Sequence, residues 1–235
     1  MGKSKDLASG AAYQDQTESD TRYVNTAGDT MTGNLTLGST STSQPILQML
    51  SSTSGANTIH FGDAASGADS YKGYINYAHN TDQIQFAVNG AVRQIIDSAG
   101  RVTMPYQPSF FARHTTATTY NSAYVVNWNS ITYNVGNHFV GSTGTFTAPV
   151  SGVYQLNSML GNNYANGAGN YMVKLNGSDY HGLVWDPYNG QTSWSTSILV
   201  GQMKLAPNDT VRIYCNSTGN PDNSSWTSWS MCLLG

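Results

Sequence analysis

The chain has 235 residues, a formal net charge of −3 and only 10% charged side chains, against about 25% in ordinary soluble proteins. That balance gives no basic field for a nucleic acid and no Lys/Arg run for an anionic membrane surface, and no apolar run reaches the roughly 20 residues of a membrane span. The opening MGKSKDLASG is polar and lacks the apolar core of a secretory signal, so the expectation is a protein made in a cytosol and not secreted by that route. The length favours one compact domain plus something extended over a single large core.

Residues 1–27 carry almost no large apolar groups before Tyr13 and Tyr23 and cannot bury a core of their own. The reading is an anchoring segment ordered by a partner, with either a short helix from Lys3 to Ala12 or a loose terminus at its start. Tyr23 to Leu37 follows with turn signals at Gly28-Asp29 and Gly33-Asn34, and Met31, Leu35 and Leu37 alternate with polar residues as in short strands. The run GDTMTGNLTL resembles an element of bacteriophage tail-fibre and virion-fibre proteins. An ordinary hairpin would read the same way. Residues 38–56 are rich in Ser, Thr and Gly around Ile46-Leu47-Gln48-Met49-Leu50, a linker entering a new strand.

From Thr58 to Met104 the pattern becomes short strands: TIHFGDA, YKGYINYAH, QIQFAVNG, AVRQIID and RVTM, with a turn at Ser98-Ala99-Gly100. Asn89-Gly90 is the strongest hairpin signal, because both residues tolerate the positive φ of a primed turn. The run resembles strand-rich modules of phage fibre shafts. So thin a unit is marginal alone, and such strands are commonly stabilised by association about a threefold axis. Residues 28–104 are therefore expected to form a β-rich fibre shaft.

Pro105 and Pro108 mark a hinge into residues 105–235, where all five tryptophans lie. Ten strands are expected, near 109–114, 123–126, 131–133, 138–140, 144–147, 152–159, 169–175, 194–204, 210–216 and 227–234, as in a double-sheet jelly roll. Within GTFTAPVSGVY, Pro149 must occupy an edge or turn, and Gly152 supplies a tight bend. Asn134, Phe139, Phe146, Gly152 and Tyr154 fall at spacings that resemble the signature of the complement component one q globular head, a jelly roll related to tumour necrosis factor. SFFA at 109–112, LAPNDTV at 205–211 and WSMCLL at 229–234 extend the resemblance to the end of the chain. Trp128, Leu156, Ser158 and Met231 depart from the pattern. Ser158 puts the packing of its strand end in question, and Met231, where Gly is usual, local packing at the subunit axis. The resemblance implies an all-β, trimeric jelly-roll head and, in some relatives, calcium near the axis; Asp209 is the matching position here.

Little in the chain suggests catalysis. Glu18 is the single glutamate, and the aspartates lie mostly beside turn formers. Asp179, His181 and Asp186 are the best catalytic or metal candidate, equally explained by a solvated loop between strands. His60, His79, His114 and His138 have no metal-ligand spacing. Cys215 and Cys232 are either buried free thiols or one bridge between late strands. Binding has more support: Tyr164, Tyr171, Tyr180, Trp185, Tyr188 and Trp194 lie in or beside Asn/Gly-rich loops, and such rings give contact area at low entropy cost. Tyr171 and Trp194 read equally as core or trimer-interface residues.

The combined expectation is a non-enzymatic, cofactor-free homotrimeric phage fibre in the virion. Its N-terminus docks to tail or capsid proteins, and its head binds a host-surface glycan or protein through Tyr164, Tyr180, Trp185 and Tyr188. A capsid head fibre or decoration protein of the same build is the nearest alternative, and a polysaccharide-cleaving tail enzyme a more distant one.

Overall fold

The computed structural model describes residues 34, 44–116, 124–162, 171–185, 195–215 and 226–235. The chain divides into two compact units, Met1–Leu50 and Ser51–Gly235. Of the first unit, residues 44–50 form no regular element, and Ile46, Leu47 and Leu50 are exposed. The expected helix from Lys3 and, apart from Asn34, the GDTMTGNLTL element lie outside the described residues.

The second unit opens with a five-stranded antiparallel meander: β1 (Ala56–Phe61), β2 (Gly73–Ala78), β3 (Gln83–Val88), β4 (Ala91–Ile96) and β5 (Val102–Thr103). Its turns follow the turn chemistry of the sequence. Asn89 and Gly90 take φ of 54° and 71° between the paired Val88 and Ala91, as a two-residue primed turn requires. The β4–β5 turn is braced by Asp97, whose Oδ1 accepts from the backbone N–H of Ala99 and Arg101 while Oδ2 accepts from Arg101 Nε at 2.7 Å. These bonds, led by the Arg101 backbone N–H, hold the Asp97 carboxyl below the ordinary carboxylate range. The meander is a single layer, and Ala87 is its one buried apolar residue.

Residues 104–108 lead onward and are tied at both ends. The Arg93 guanidinium lies 4.1 Å from the Tyr106 ring centroid, Gln107 Nε2 donates to the Leu233 carbonyl, and Leu233 N donates to the Pro108 carbonyl at 3.0 Å. Beyond them comes a two-sheet sandwich. Its strands are β6 (Ser109–Arg113), β7 (Tyr124–Val125), β8 (Ser130–Val135), β9 (Phe139–Val140), β10 (Thr145–Thr147), β11 (Gly152–Asn162), β12 (Tyr171–Leu175), β13 (Ser178–Trp185), β14 (Ser195–Leu205), β15 (Thr210–Cys215) and β16 (Ser228–Leu233). One sheet runs β14-β11-β16-β6-β8; the other runs β13-β12-β15-β10-β9, with β7 also pairing β15. Every pairing is antiparallel, as the all-β jelly-roll expectation requires.

The inward faces of both sheets meet in one aromatic-rich core. Phe110 stacks on Phe139 with centroids 4.0 Å apart and ring planes 1° from parallel, and Trp229 meets both rings edge-on. Tyr154 is fully buried, and its hydroxyl donates to the Val150 carbonyl at 2.9 Å. Burial raises its phenol pKa.

Eleven described strands replace the ten expected. The addition is β13, because Asn176-Gly177 (φ 51° and 84°) is a second two-residue turn joining the paired Leu175 and Ser178. The expected solvated loop around Asp179 is therefore half of a hairpin. The departures at Leu156 and Trp128 are core residues. Ser158 is buried yet satisfied, its hydroxyl donating to the Ser228 carbonyl at 2.9 Å. Met231 fills the core from β16. The expected bend falls at 149–151, immediately before Gly152 opens β11. Its missing side chain matters for another reason: a Cβ there would lie 2.5 Å from Leu233 Cδ1 and 2.9 Å from the Gly235 carbonyl oxygen. Cys215 and Cys232 form no disulfide and sit in different sheets.

Candidate binding end of the sandwich

The strand directions sort the connections of the sandwich to its two ends. At the end where residues 104–108 enter lie the β10–β11 bend, the Asn176-Gly177 turn and the β14–β15 turn, knit together by backbone bonds. Ala148 N donates to the Asp209 carbonyl, Asn208 N to Ala148, Asn176 N to Thr210 and Val153 N to Gly235. At the opposite end terminate β6, β11, β13 and β15, whose partners across the sheets are the first residues of β16, β14, β12 and β7. The connections 163–170, 186–194 and 216–225 therefore leave from the end opposite the hinge.

The sequence-predicted binding residues distribute over this arrangement unevenly. Trp185 is the last residue of β13, opposite Tyr171, at the end where these connections emerge. Tyr164 and Tyr188 belong to two of those connections and lie outside the described residues, as does Trp194. Tyr180 is displaced from the expected loop: it sits within β13, half-buried against the core. Tyr171 is fully buried core. Trp226, which the sequence reading did not single out, stands 60% exposed just before β16 at the same end as Trp185. The Asn/Ser-rich run NPDNSS immediately before it was the available signal.

The charged candidates act as braces. Asp179 accepts from Lys174 Nζ at 2.9 Å across the β12–β13 hairpin, while Asp186 and the His181 side chain lie outside the described residues. Among the described residues no three His, Cys, Asp or Glu side chains converge as a metal site. His79 shares a hydrogen bond with Asn57 Oδ1 at 2.6 Å, and His114 Nδ1 meets the Asn127 carbonyl at 2.6 Å. Asp209, the calcium candidate, accepts from Asn176 Nδ2 at 2.8 Å and from the Ala206 backbone N–H at 2.7 Å. Those bonds, the Asn176 one first, lower its pKa. N–H donors on both carboxylate oxygens suit a turn brace; a calcium ion takes 6–8 oxygen ligands, and the described surroundings of Asp209 do not fit one.

The five signature residues are likewise structural. Asn134 Nδ2 donates to the Phe139 carbonyl at 2.8 Å and its Oδ1 accepts from Phe139 N at 3.3 Å, closing the β8–β9 turn. Phe139, Phe146 and Tyr154 are core, and Gly152 admits the chain terminus.

A family model described as the C1q domain matches residues 109–229. Among solved structures, the globular domain of a zebrafish complement 1qA protein is similar at 16% identity with a TM-score of 0.47, covering 55% of this chain and 98% of that one. Murine APRIL at pH 5.0 is similar at 12% identity with a TM-score of 0.45, covering 55% and 99%. No curated protein matches the chain in sequence.

Proposed function

The chain belongs to the C1q-domain family, whose domains typically form homotrimers and bind ligands, and from that premise we propose that it is a bacteriophage virion fibre protein whose head binds a host-surface glycan or protein during adsorption. The observation that supports this reading is where the strands flanking the aromatic candidates end. Trp185 and Trp226, with the connections bearing Tyr164 and Tyr188, belong to the end of the sandwich opposite the hinge. A head joined at one end presents the other to a target, and three copies multiply a weak contact through avidity. The fibre-like elements before residue 105 supply the virion part of the reading, with the N-terminus docking to tail or capsid proteins.

The test is adsorption competition with the purified full chain, its trimeric state confirmed by sedimentation, added to host cells before virus. Dose-dependent loss of adsorption is expected, relieved by alanine at Trp185, Tyr188 and Trp226. A trimer that binds no cells and leaves adsorption unchanged would remove the receptor role in favour of a decorating one.

A further inference from the structure

The meander β1–β5 has two unlike faces. Cross-strand register puts Ile59, Ile75 and Phe86 in one row and Ile84, Ile96 and Val102 in another, all on the same side. Phe61, Val88 and Val102 on that side are 56%, 63% and 53% exposed. The other side carries a polar chain in which Thr58 Oγ1 donates to Asn76 Oδ1 at 2.7 Å, Asn76 Nδ2 to Gln85 Oε1 at 3.3 Å, and Gln85 Nε2 to Gln83 Oε1 at 3.5 Å. The first face is mostly apolar, with Asn57 and Gln94 among its residues, and is uncovered among the described residues; the second sets this polar chain beside Ala87, Val92 and Ile95. A contiguous exposed apolar face marks an interaction surface.

We propose that the apolar face packs against the same face of two further copies of this chain, making a three-sided β-prism with the Thr58–Gln83 polar chain outward. This rests on the trimeric reading of the head given above. Three observations select a copy of the same chain as occupant. Within the five strands Arg93 is the single charged side chain, and it sits at the β3–β4 irregularity with Nε donating to the Val88 carbonyl and its guanidinium over Tyr106. The face therefore offers no charge pattern to a foreign partner and no like-charge repulsion to itself. Second, the bonds of Gln107 and Pro108 to Leu233 tether the meander to the closing strand of the head, so a head trimer holds three such faces at high effective concentration. Third, a single layer that buries only Ala87 lacks the apolar burial that stabilises a sheet, and self-packing supplies it in every copy.

The test uses the full chain and compares two adjacent substitutions on opposite faces, Val102→Glu on the apolar side and Thr103→Glu on the polar side. Oligomeric state is read by sedimentation and local stability by amide hydrogen exchange. In the wild-type trimer, amides of Ile75 and Phe86 are expected to exchange within about tenfold of Leu156 in the sandwich. Val102→Glu should accelerate them at least 100-fold while Leu156 stays protected, and Thr103→Glu should leave both unchanged. A wild-type trimer whose β2 and β3 amides exchange freely would overturn the prism while leaving the trimeric head standing. Equal effects of the two substitutions would overturn it too. A monomeric wild-type chain would overturn the trimeric reading, and the prism with it.

Discussion

The meander and the sandwich are made from the same strands, antiparallel and mostly five or six residues long, yet they are stabilised in different places. In the sandwich, two sheets turn their apolar sides toward each other, and side chains from Phe110 to Met231 join one core. In the meander the apolar side is left largely exposed among the described residues. Antiparallel ladders with an occasional register shift run through both, so the difference lies in burial, which is the dominant favourable term in folding. A backbone ladder alone makes a sheet; a second layer makes it a domain.

The largest expected effect tests the core. Phe110→Ala removes a fully buried ring from the stack with Phe139 and the edge contact with Trp229, and should cost about 3–5 kcal/mol. Urea unfolding followed by tryptophan fluorescence reports on the sandwich directly, because every tryptophan lies in residues 128–229. A loss below about 1 kcal/mol would mean that the sandwich is not held by this cluster. Asn134→Ala comes next. It deletes both side-chain bonds that close the β8–β9 turn and leaves the Phe139 backbone groups unpaired, a cost of about 2 kcal/mol by the same assay.

These residues also show what was legible in the sequence. The sandwich could be read because its anchors are rare residue types at fixed spacings: Asn134, Phe139, Phe146, Gly152 and Tyr154 all hold structural posts. Residues off the pattern were less legible. Met231 and Ser158 both face inward on their strands, and strand alternation could have placed them there; only the packing shows that Ser158 has the Ser228 carbonyl as partner. The hairpin at Asn176-Gly177 carried the same signal as Asn89-Gly90 but was hidden by polar Ser178 and Asp179, which lack the apolar alternation that marks a strand. That omission turned Tyr180 into a loop residue. The distal end was legible only as composition, because which connections share an end depends on strand pairing far apart in sequence.

The paired Asn-Gly turns sharpen the comparison further. Gly90 and Gly177 have φ of 71° and 84°, so alanine at either position should cost about 1 kcal/mol in backbone strain. The sites differ in what holds the strands beyond the turn. Gly177→Ala is buttressed by the core through Leu175 and Val173 and should leave β12 amides protected. Gly90→Ala strains a hairpin that has no core within the described protomer and should accelerate exchange along β3 and β4 once the trimer is diluted into monomers. Equal local effects would mean that the meander is as well supported as the sandwich.

The smallest effect concerns acid. Asp97 in the meander and Asp209 in the sandwich brace one turn each, and hydrogen bonds lower both pKa values below the ordinary carboxylate range. A carboxylate whose folded pKa is depressed contributes stability that is fully present above its unfolded pKa of about 3.9 and is lost as pH falls through the folded value. Both braces are therefore intact at neutral pH and fail only in acid. Both are only partly buried, so the effects are small and separable by where they appear. Below the unfolded pKa, amides of Ala99 and Arg101, which donate to Asp97, should lose protection relative to Asp97→Asn, whose exchange no longer varies with carboxylate titration. The Ala206 amide, which donates to Asp209, should change less, because Asn208 and Asp209 are also tied to Ala148 by backbone bonds that do not titrate. Equal loss at the two turns would show that the sandwich's backbone knitting adds nothing to the Asp209 brace.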